Sequence, residues 1–340
     1  MGSLLKEKII DILRSYGGSY VPQSYIHRAV NASKSRVSEI LGELEKEGLI
    51  SRRSIGRSRV IYVYPGISER EPKERMRKIR IGIVFSSEYL FLPSFLKQIK
   101  AKGYEAEIII FREGLKATKA LAEGAVDAAI SPLPGQLYLY PMYRTYSIVL
   151  NGLSGGFKVL SLGEPGPLYS SMISTMDFIR NAILSRKELE AEGTSYYRSP
   201  EEILKLKSRK GFVVTWHPIY IELERRGAKP VLDPSSLEIR FCCTLALSNA
   251  LGKRAKLKLS KSYLRALRDF ERDPGKGIEH YSSLTGIDAS ILKSATSDYR
   301  IVDPLDPSSI DEIVESFAPR IPEGNIYREA VDREALELLQ

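Results

Sequence analysis

Residues 78–131 carry five runs in close succession: KIRIGIVF (78–85), LFLPSFLKQIKAKG (90–103), YEAEIIIF (104–111), GLKATKALAEG (114–124) and VDAAIS (126–131). The first, third and fifth are short and apolar, the length and composition of buried strands. The two between them have helical apolar spacing and end on glycine. A β-α-β-α-β order over this span predicts a parallel sheet with helices on its faces. The class is α/β.

A second set follows. YSIVLNG (146–152) and FKVLSLG (157–163) are expected strands, and residues 174–193 a helix, with Ser174 and Asp177 spaced as a capping box. SPEEILKLKSRKG, FVVTWHP, IYIELERRG and AKPVLD (199–233) continue as α-β-α-β. The chain after Phe241 is expected to be mostly helical, and 321–340 to close as a helix. Two β/α halves with a helical return predict two lobes around a cleft, within residues 79–320. Ligands of open α/β sheets sit beyond the carboxyl ends of strands.

Upstream the pattern differs. Leu5, Ile9, Ile12 and Leu13 make one apolar helix face, and PQSYIHRAV (22–30) is a short second helix. In the third, Val37, Ile40, Leu41 and Leu44 fall at helical spacing behind Ser33 as N-cap and before Gly48 as stop. The stretch SRRSIGRSRVIYVY (51–64) then reads as a hairpin turning at Ser54-Ile55-Gly56. Three helices and a hairpin over 1–65 form the winged-helix pattern. Residues 65–78 are a linker with eight charges in fourteen positions, so 66–78 separates two domains.

Charge divides the same way. Residues 1–78 hold 16 of the 51 Lys+Arg and 9 of the 42 Asp+Glu, so +7 of the net +9 lies there. That asymmetry points to a polyanionic partner for the front part alone. In a winged helix the third helix enters the major groove by its N-terminal residues, here Ser33, Lys34, Ser35, Arg36 and Ser38. Lys and Arg reach guanine edges, serines reach bases or phosphates. Arg52, Arg53, Arg57 and Arg59 sit where a wing meets the phosphate backbone, and a planar guanidinium suits phosphate. The expected partner is double-stranded DNA, bound as a homodimer because one recognition helix makes a small interface.

Other classes are narrowed by what the chain contains. No apolar run of membrane-spanning length occurs, and charges interrupt the apolar positions of the first helix, so a cytoplasmic location is expected. The two cysteines, Cys242 and Cys243, are adjacent, a poor geometry for a disulfide. They are read as buried small hydrophobes, with a redox sensor as the alternative. His27, His217 and His280 are far apart and no zinc spacing exists, so neither metal nor cofactor is expected.

The segment ASKSRVSEILGELEKEGLISRRSIGRSRVIYVY resembles winged-helix repressor domains of the MarR and TrmB type. Residues 79 to about 320 resemble the type 2 periplasmic-binding-protein fold, nearest to sulfonate- and thiamine-precursor-binding proteins and to LysR-type effector domains. LAEGAVDAAIS, FVVTWHPIYIELERRGAKPV and YLRALRDFERDPGKGIEHYSSLTGI carry that likeness. It implies ligand contacts at Ser86 and Ser87, at Ser131, at Ser174 and Thr175, and at Trp216, His217 and Tyr220. Helix starts there offer free N–H groups to an anion, and Trp216, Tyr89 and Tyr138 offer walls to a flat ligand. The ligand class implied is a small anion or a heterocycle.

Enzymes share this fold. The thiamine-pyrimidine synthase type carries a lysine and a histidine where this chain has Ser131 and Gly135, and a cysteine-rich run where it has FCCT. Without an amine, Schiff-base chemistry is closed. The chorismate-dehydratase type needs few catalytic groups and stays open. Two readings follow: a ligand-responsive DNA-binding regulator that is not an enzyme, or an enzyme that uses its winged helix to dimerise.

Overall fold

The computed structural model describes residues 2–16, 19–55, 58–64, 77–206, 209–232, 237, 239, 241–302, 307–316 and 326–332. The N-terminal part is three helices, Gly2–Arg14, Gln23–Val30 and Lys34–Lys46, with a three-stranded antiparallel sheet. Its hairpin pairs Ile50–Ile55 with Ser58–Val63, and a short strand Tyr20–Pro22 adds to the far edge. The expected helical stripe is what packs: Val37, Ile40, Leu41 and Leu44 are buried against Ile9, Leu13, Val21 and Ile61. Ser33 accepts the Arg36 N–H as N-cap, and Gly48 takes the positive φ of 70° that ends the helix without a Cβ penalty.

The larger part holds two five-stranded sheets of the same plan. In the first lobe the order is Tyr104–Phe111, Arg77–Val84, Ala128–Pro132, Cys243–Ser248, Tyr146–Asn151. The first three are parallel, and the last two run antiparallel to their neighbours. In the second lobe the order is Thr194–Tyr197, Glu164–Ser171, Lys210–Trp216, Phe157–Ser161, Lys229–Leu232, again three parallel strands and then antiparallel pairings. The chain leaves the first lobe after Asn151 and returns to it at Cys243, and a two-stranded ribbon, Leu153–Gly155 with Tyr299–Ile301, lies at the crossing. Helix Lys253–Arg272 then packs on Leu92–Ala101 over the first-lobe sheet, around Phe95, Tyr263 and Leu267. The other face of that sheet shares a core with the second lobe through Ala129, Ile148, Ile179 and Val214. No helix among the described residues is long and apolar enough to cross a membrane.

The chain after Phe241 is mostly helical as expected, in Lys253–Arg272, Ile278–Thr285 and Ala289–Ser294, but it opens with a strand that was not expected: Cys243–Ser248 is an inner strand of the first-lobe sheet, with every residue buried. Two expectations need correction. Of the closing helix expected over 321–340, the described residues 326–332 hold helix at Ile326–Glu329, after which Val331 bridges to Ile148; residues 321–325 and 333–340 lie outside the described residues. Arg77 and Lys78, assigned to the linker, open the first strand of the lobe; residues 65–76 lie outside the described residues.

The N-terminal part rests on the first lobe through its second helix. Tyr25, 1% exposed, places its hydroxyl 2.8 Å from Ser248 Oγ. Ala29 meets Gly124, where an added Cβ would stand 3.3 Å from the alanine methyl. Gly124 also carries a φ of +75°, so both its conformation and its closeness to the helix favour glycine.

Candidate functional site

A narrow cleft opens between the lobes. From the first lobe Ser86, Glu88 and Tyr89 line it, in the loop that leaves the strand Arg77–Val84. So do Gly114 and Leu115 at the start of a helix, and Cys242 and Cys243 on the return. From the second lobe come Ser174 and Thr175 at the start of helix Thr175–Ser185, and Tyr197 and Trp216 at strand ends. Two helix starts therefore face one space from opposite sides. The first N–H groups of a helix lack intrahelical partners, so each start presents donors and the positive end of its dipole. Arg112 and Arg198, both exposed, stand at the mouth, one from each lobe.

The walls are fixed by bonds across the cleft. Trp216 lies flat beside Tyr197, ring centroids 6.2 Å apart at 27°, and donates its indole N–H to the Phe85 carbonyl at 2.8 Å. Thr175 Oγ1 donates to the Cys242 carbonyl at 3.1 Å. Ser174 caps its helix by accepting from Asp177 N–H, while Asp177 accepts from Ile173 N–H, one residue before the N-cap, and not from the Ser174 N–H that a capping box would use.

The floor is unusual. Glu88 is 2% exposed, and burial pushes its carboxyl up to about 7. Its oxygens accept from Cys243 N–H at 3.2 Å and from the Cys242 thiol at 3.3 Å. Sequence reading missed Glu88, which lies 154 positions from Cys242. Burial also holds the Cys243 thiol well above its ordinary range.

Of the expected ligand contacts, the structure brings Ser86, Ser174, Thr175 and Trp216 together in the cleft. Four others do something else. Ser87, fully buried, bonds His217 Nδ1 at 2.7 Å, so both residues pin lobe to lobe instead of lining the space. Burial lowers the His217 imidazole to about 4, opposed by Asp298 and aided by Lys158. Ser131 faces the interior behind the cleft, bonded to Thr118 Oγ1 at 2.9 Å and Gln136 Nε2 at 3.0 Å. Tyr220 lines a separate recess with Lys158 and Asp298 and hydrogen-bonds the Asp298 carboxylate. Tyr138 packs in the core shared by the lobes.

On the N-terminal part, Ser33, Lys34, Ser35 and Arg36 are exposed on the first turn of helix Lys34–Lys46, with Arg36 paired to Glu39 at 2.6 Å. Ser38 is half-buried, and its carbonyl accepts from Arg52 at 3.4 Å. Arg52 is not the free cation expected: its guanidinium is held by the Glu45 carboxylate at 2.8 Å, tying hairpin to helix. Arg53 and Arg59 are exposed, on opposite faces of the ribbon because Arg53 faces Val60 and Arg59 faces Ser54 in register. Arg57 lies outside the described residues.

Comparison with known proteins divides along the same line. Residues 5–64 match a family described as a domain of unknown function (DUF7343). No curated protein matches. Among solved structures, the ligand-binding component of an ABC-type import system from Staphylococcus aureus, with zinc bound, is 18% identical with a TM-score of 0.61, covering 75% of this chain and 99% of that one. The alkanesulfonate-binding protein SsuA from Xanthomonas axonopodis pv. citri, bound to MOPS, is 15% identical with a TM-score of 0.62, covering 76% and 99%. The periplasmic nitrate-binding protein NrtA from Synechocystis PCC 6803 is 11% identical with a TM-score of 0.62, covering 78% and 89%. The larger part of this chain thus has the two-lobed α/β fold of periplasmic binding proteins, and these neighbours are titled as binding proteins or components, not enzymes.

They also correct the cytoplasmic location expected from the sequence, since neighbours with this fold are titled periplasmic or as parts of import systems. Charge in an amphipathic helix reports how the helix packs. It does not report the compartment in which the chain works.

Proposed function

We propose that this chain is a ligand-responsive DNA-binding transcription regulator, with residues 1–65 as a winged helix and 79–320 as the sensor of a small molecule. It is a binder, not an enzyme. The observation that carries this reading is the exposed set Lys34, Arg36, Arg53 and Arg59 on a helix start and its neighbouring ribbon. The unit that bears them is seated, through Tyr25, on a lobe that forms half of the cleft. Phosphate contacts of this kind give affinity, and the helix start gives base readout.

The cleft suits a small oxyanion held by the two helix starts, and two structural neighbours are titled alkanesulfonate-binding and nitrate-binding. It equally suits a flat heterocycle against Trp216 and Tyr197. A ligand touching both lobes favours their closed arrangement only to the extent that it binds that arrangement better. In a homodimer, such a shift alters the spacing of two recognition helices and with it DNA affinity.

The test is fluorescence anisotropy of a duplex from the gene's own upstream region, at two salt concentrations. The wild-type chain should bind with a steep salt dependence. The double variant Arg53→Ala/Arg59→Ala should lower the log–log salt slope by roughly two, one for each phosphate no longer neutralised. Absence of binding at low salt, or an unchanged slope, removes DNA from the reading.

A further inference from the structure

We propose that the floor of the cleft is a metal-ion site of zinc or cadmium type, formed by Cys242 Sγ, Cys243 Sγ and a carboxylate oxygen of Glu88, with its remaining position open to the cleft. One donor atom from each of these three residues lies within 4.8 Å of the other two. Cys242 Sγ and Glu88 Oε2 are already 3.3 Å apart. Tetrahedral zinc with sulfur at about 2.3 Å and oxygen at about 2.1 Å has ligand–ligand edges of about 3.5–3.8 Å. Small side-chain adjustments bring the trio to those edges.

Adjacent residues of a strand point to opposite faces. Cys242 escapes that rule because the strand begins at Cys243, so both thiols reach one carboxylate. Two thiolates and a carboxylate select borderline or soft ions over magnesium or calcium.

The surroundings fit a metal site better than a packing cluster. Glu88 is buried, and among the described residues no cation pairs with it; its partners are the Cys242 thiol and the Cys243 N–H. Tyr89, also buried, sets its hydroxyl 3.2 Å from Cys243 Sγ, where an outer-shell donor steadies a thiolate ligand. Among the described residues, the buried Tyr263 hydroxyl has no hydrogen-bond partner. Gly152 keeps the gap beside it clear: an added Cβ there would stand 2.9 Å from that hydroxyl, 3.6 Å from Glu88 Oε1 and 2.8 Å from the Cys243 carbonyl. Three protein ligands with an open fourth position is the arrangement of zinc sites that accept an external donor. A small molecule in the cleft would supply that donor. The inference stands on the cleft alone and does not depend on DNA binding.

The test uses the full chain, stripped of metal by a chelator, kept reduced by a phosphine, and free of DNA. Cadmium is titrated while the ultraviolet thiolate-to-cadmium absorption is followed, and zinc is titrated against a chromophoric chelator. The expected result is one ion per chain, with the absorption abolished in Cys242→Ser/Cys243→Ser. Affinity should fall in Glu88→Gln by more than the roughly 10–100-fold that loss of an outer-shell partner costs. Circular dichroism and the metal-free melting temperature establish that each variant is folded. His27→Gln, remote from the cleft, serves as the unchanged control. No thiolate absorption in the wild type, or full stoichiometry retained in the double cysteine variant, overturns the site. An unchanged affinity in Glu88→Gln overturns its three-donor form.

Discussion

His217 should make this protein sensitive to mild acid, and the size of the effect follows from where the ring sits. The side chain is fully buried at the junction of the lobes, with Nδ1 2.7 Å from Ser87 Oγ and Tyr220 edge-on at 5.1 Å. Burial disfavours the imidazolium and holds the folded-state pKa near 4, against an ordinary value of 6.5. As pH falls through the ordinary value, the unfolded chain takes up a proton that the folded chain refuses. Stability is therefore flat above it, declines down to the folded pKa, and levels off below. Two and a half units correspond to about 3 kcal/mol, of which about 2.5 kcal/mol is spent between about pH 7.5 and about pH 4.5. Urea unfolding of the wild type and of His217→Gln at those two pH values isolates the effect, because carboxylate contributions are common to both. The variant should be less stable at neutral pH, having lost its bond to Ser87, yet lose less on acidification by that amount. The chain has only three histidines, so the His217 resonance can be assigned by its absence in the variant and titrated directly by NMR. Titration near 6.5, or parallel acid destabilisation of the two proteins, would refute the reasoning.

Trp216 is the only tryptophan and lines the cleft, so intrinsic emission should change when a cleft ligand binds and stay constant when a ligand binds elsewhere. Trp216→Phe, which keeps a ring but loses the donor to the Phe85 carbonyl, should cost about 1 kcal/mol in denaturant unfolding. A ligand that raises the melting temperature without altering emission would remove Trp216 from the wall. Asp177 and Arg180 form an ion pair at 2.6 Å with side chains 0% and 3% exposed. Asp177→Ala leaves that guanidinium buried without its carboxylate and should cost about 3–5 kcal/mol. A loss below about 1 kcal/mol would show that the pair contributes little to the second lobe.

Local patterns were legible where one physical cause acts over a few residues. Ser33 followed by Val37, Ile40, Leu41 and Leu44 specifies a capped amphipathic helix, and that face is the one buried. Within KIRIGIVF the run Ile81–Val84 is apolar and buried because that end of the strand lies inside the first-lobe sheet between two parallel neighbours, while Lys78 is exposed and Arg80 pairs with Asp127. Helix Leu133–Tyr143 defeats the same logic. It holds Pro134 and Gly135 in its first turn and Pro141 further on, and most of its residues are buried, so it has neither propensity nor an amphipathic stripe to reveal it. CTLALS is likewise buried at every position, so no alternation marks it as a strand. For the site, the end of a strand is predictable but the direction of each side chain is not. Ser131 ends its strand as expected and faces Thr118 and Gln136 instead of the cleft. Ser86 and Ser87 are neighbours, yet only Ser86 lines the cleft while Ser87 holds His217. Glu88, in the run SSEYLF, has the local look of a solvated loop residue. What buries it is Cys242 and Cys243, delivered when the chain returns from the second lobe and inserts its antiparallel strand beside Ala128–Pro132. The cleft walls follow from short-range rules because helix starts and strand ends carry them. The chemistry at the floor exists only once the chain has crossed between the lobes and come back.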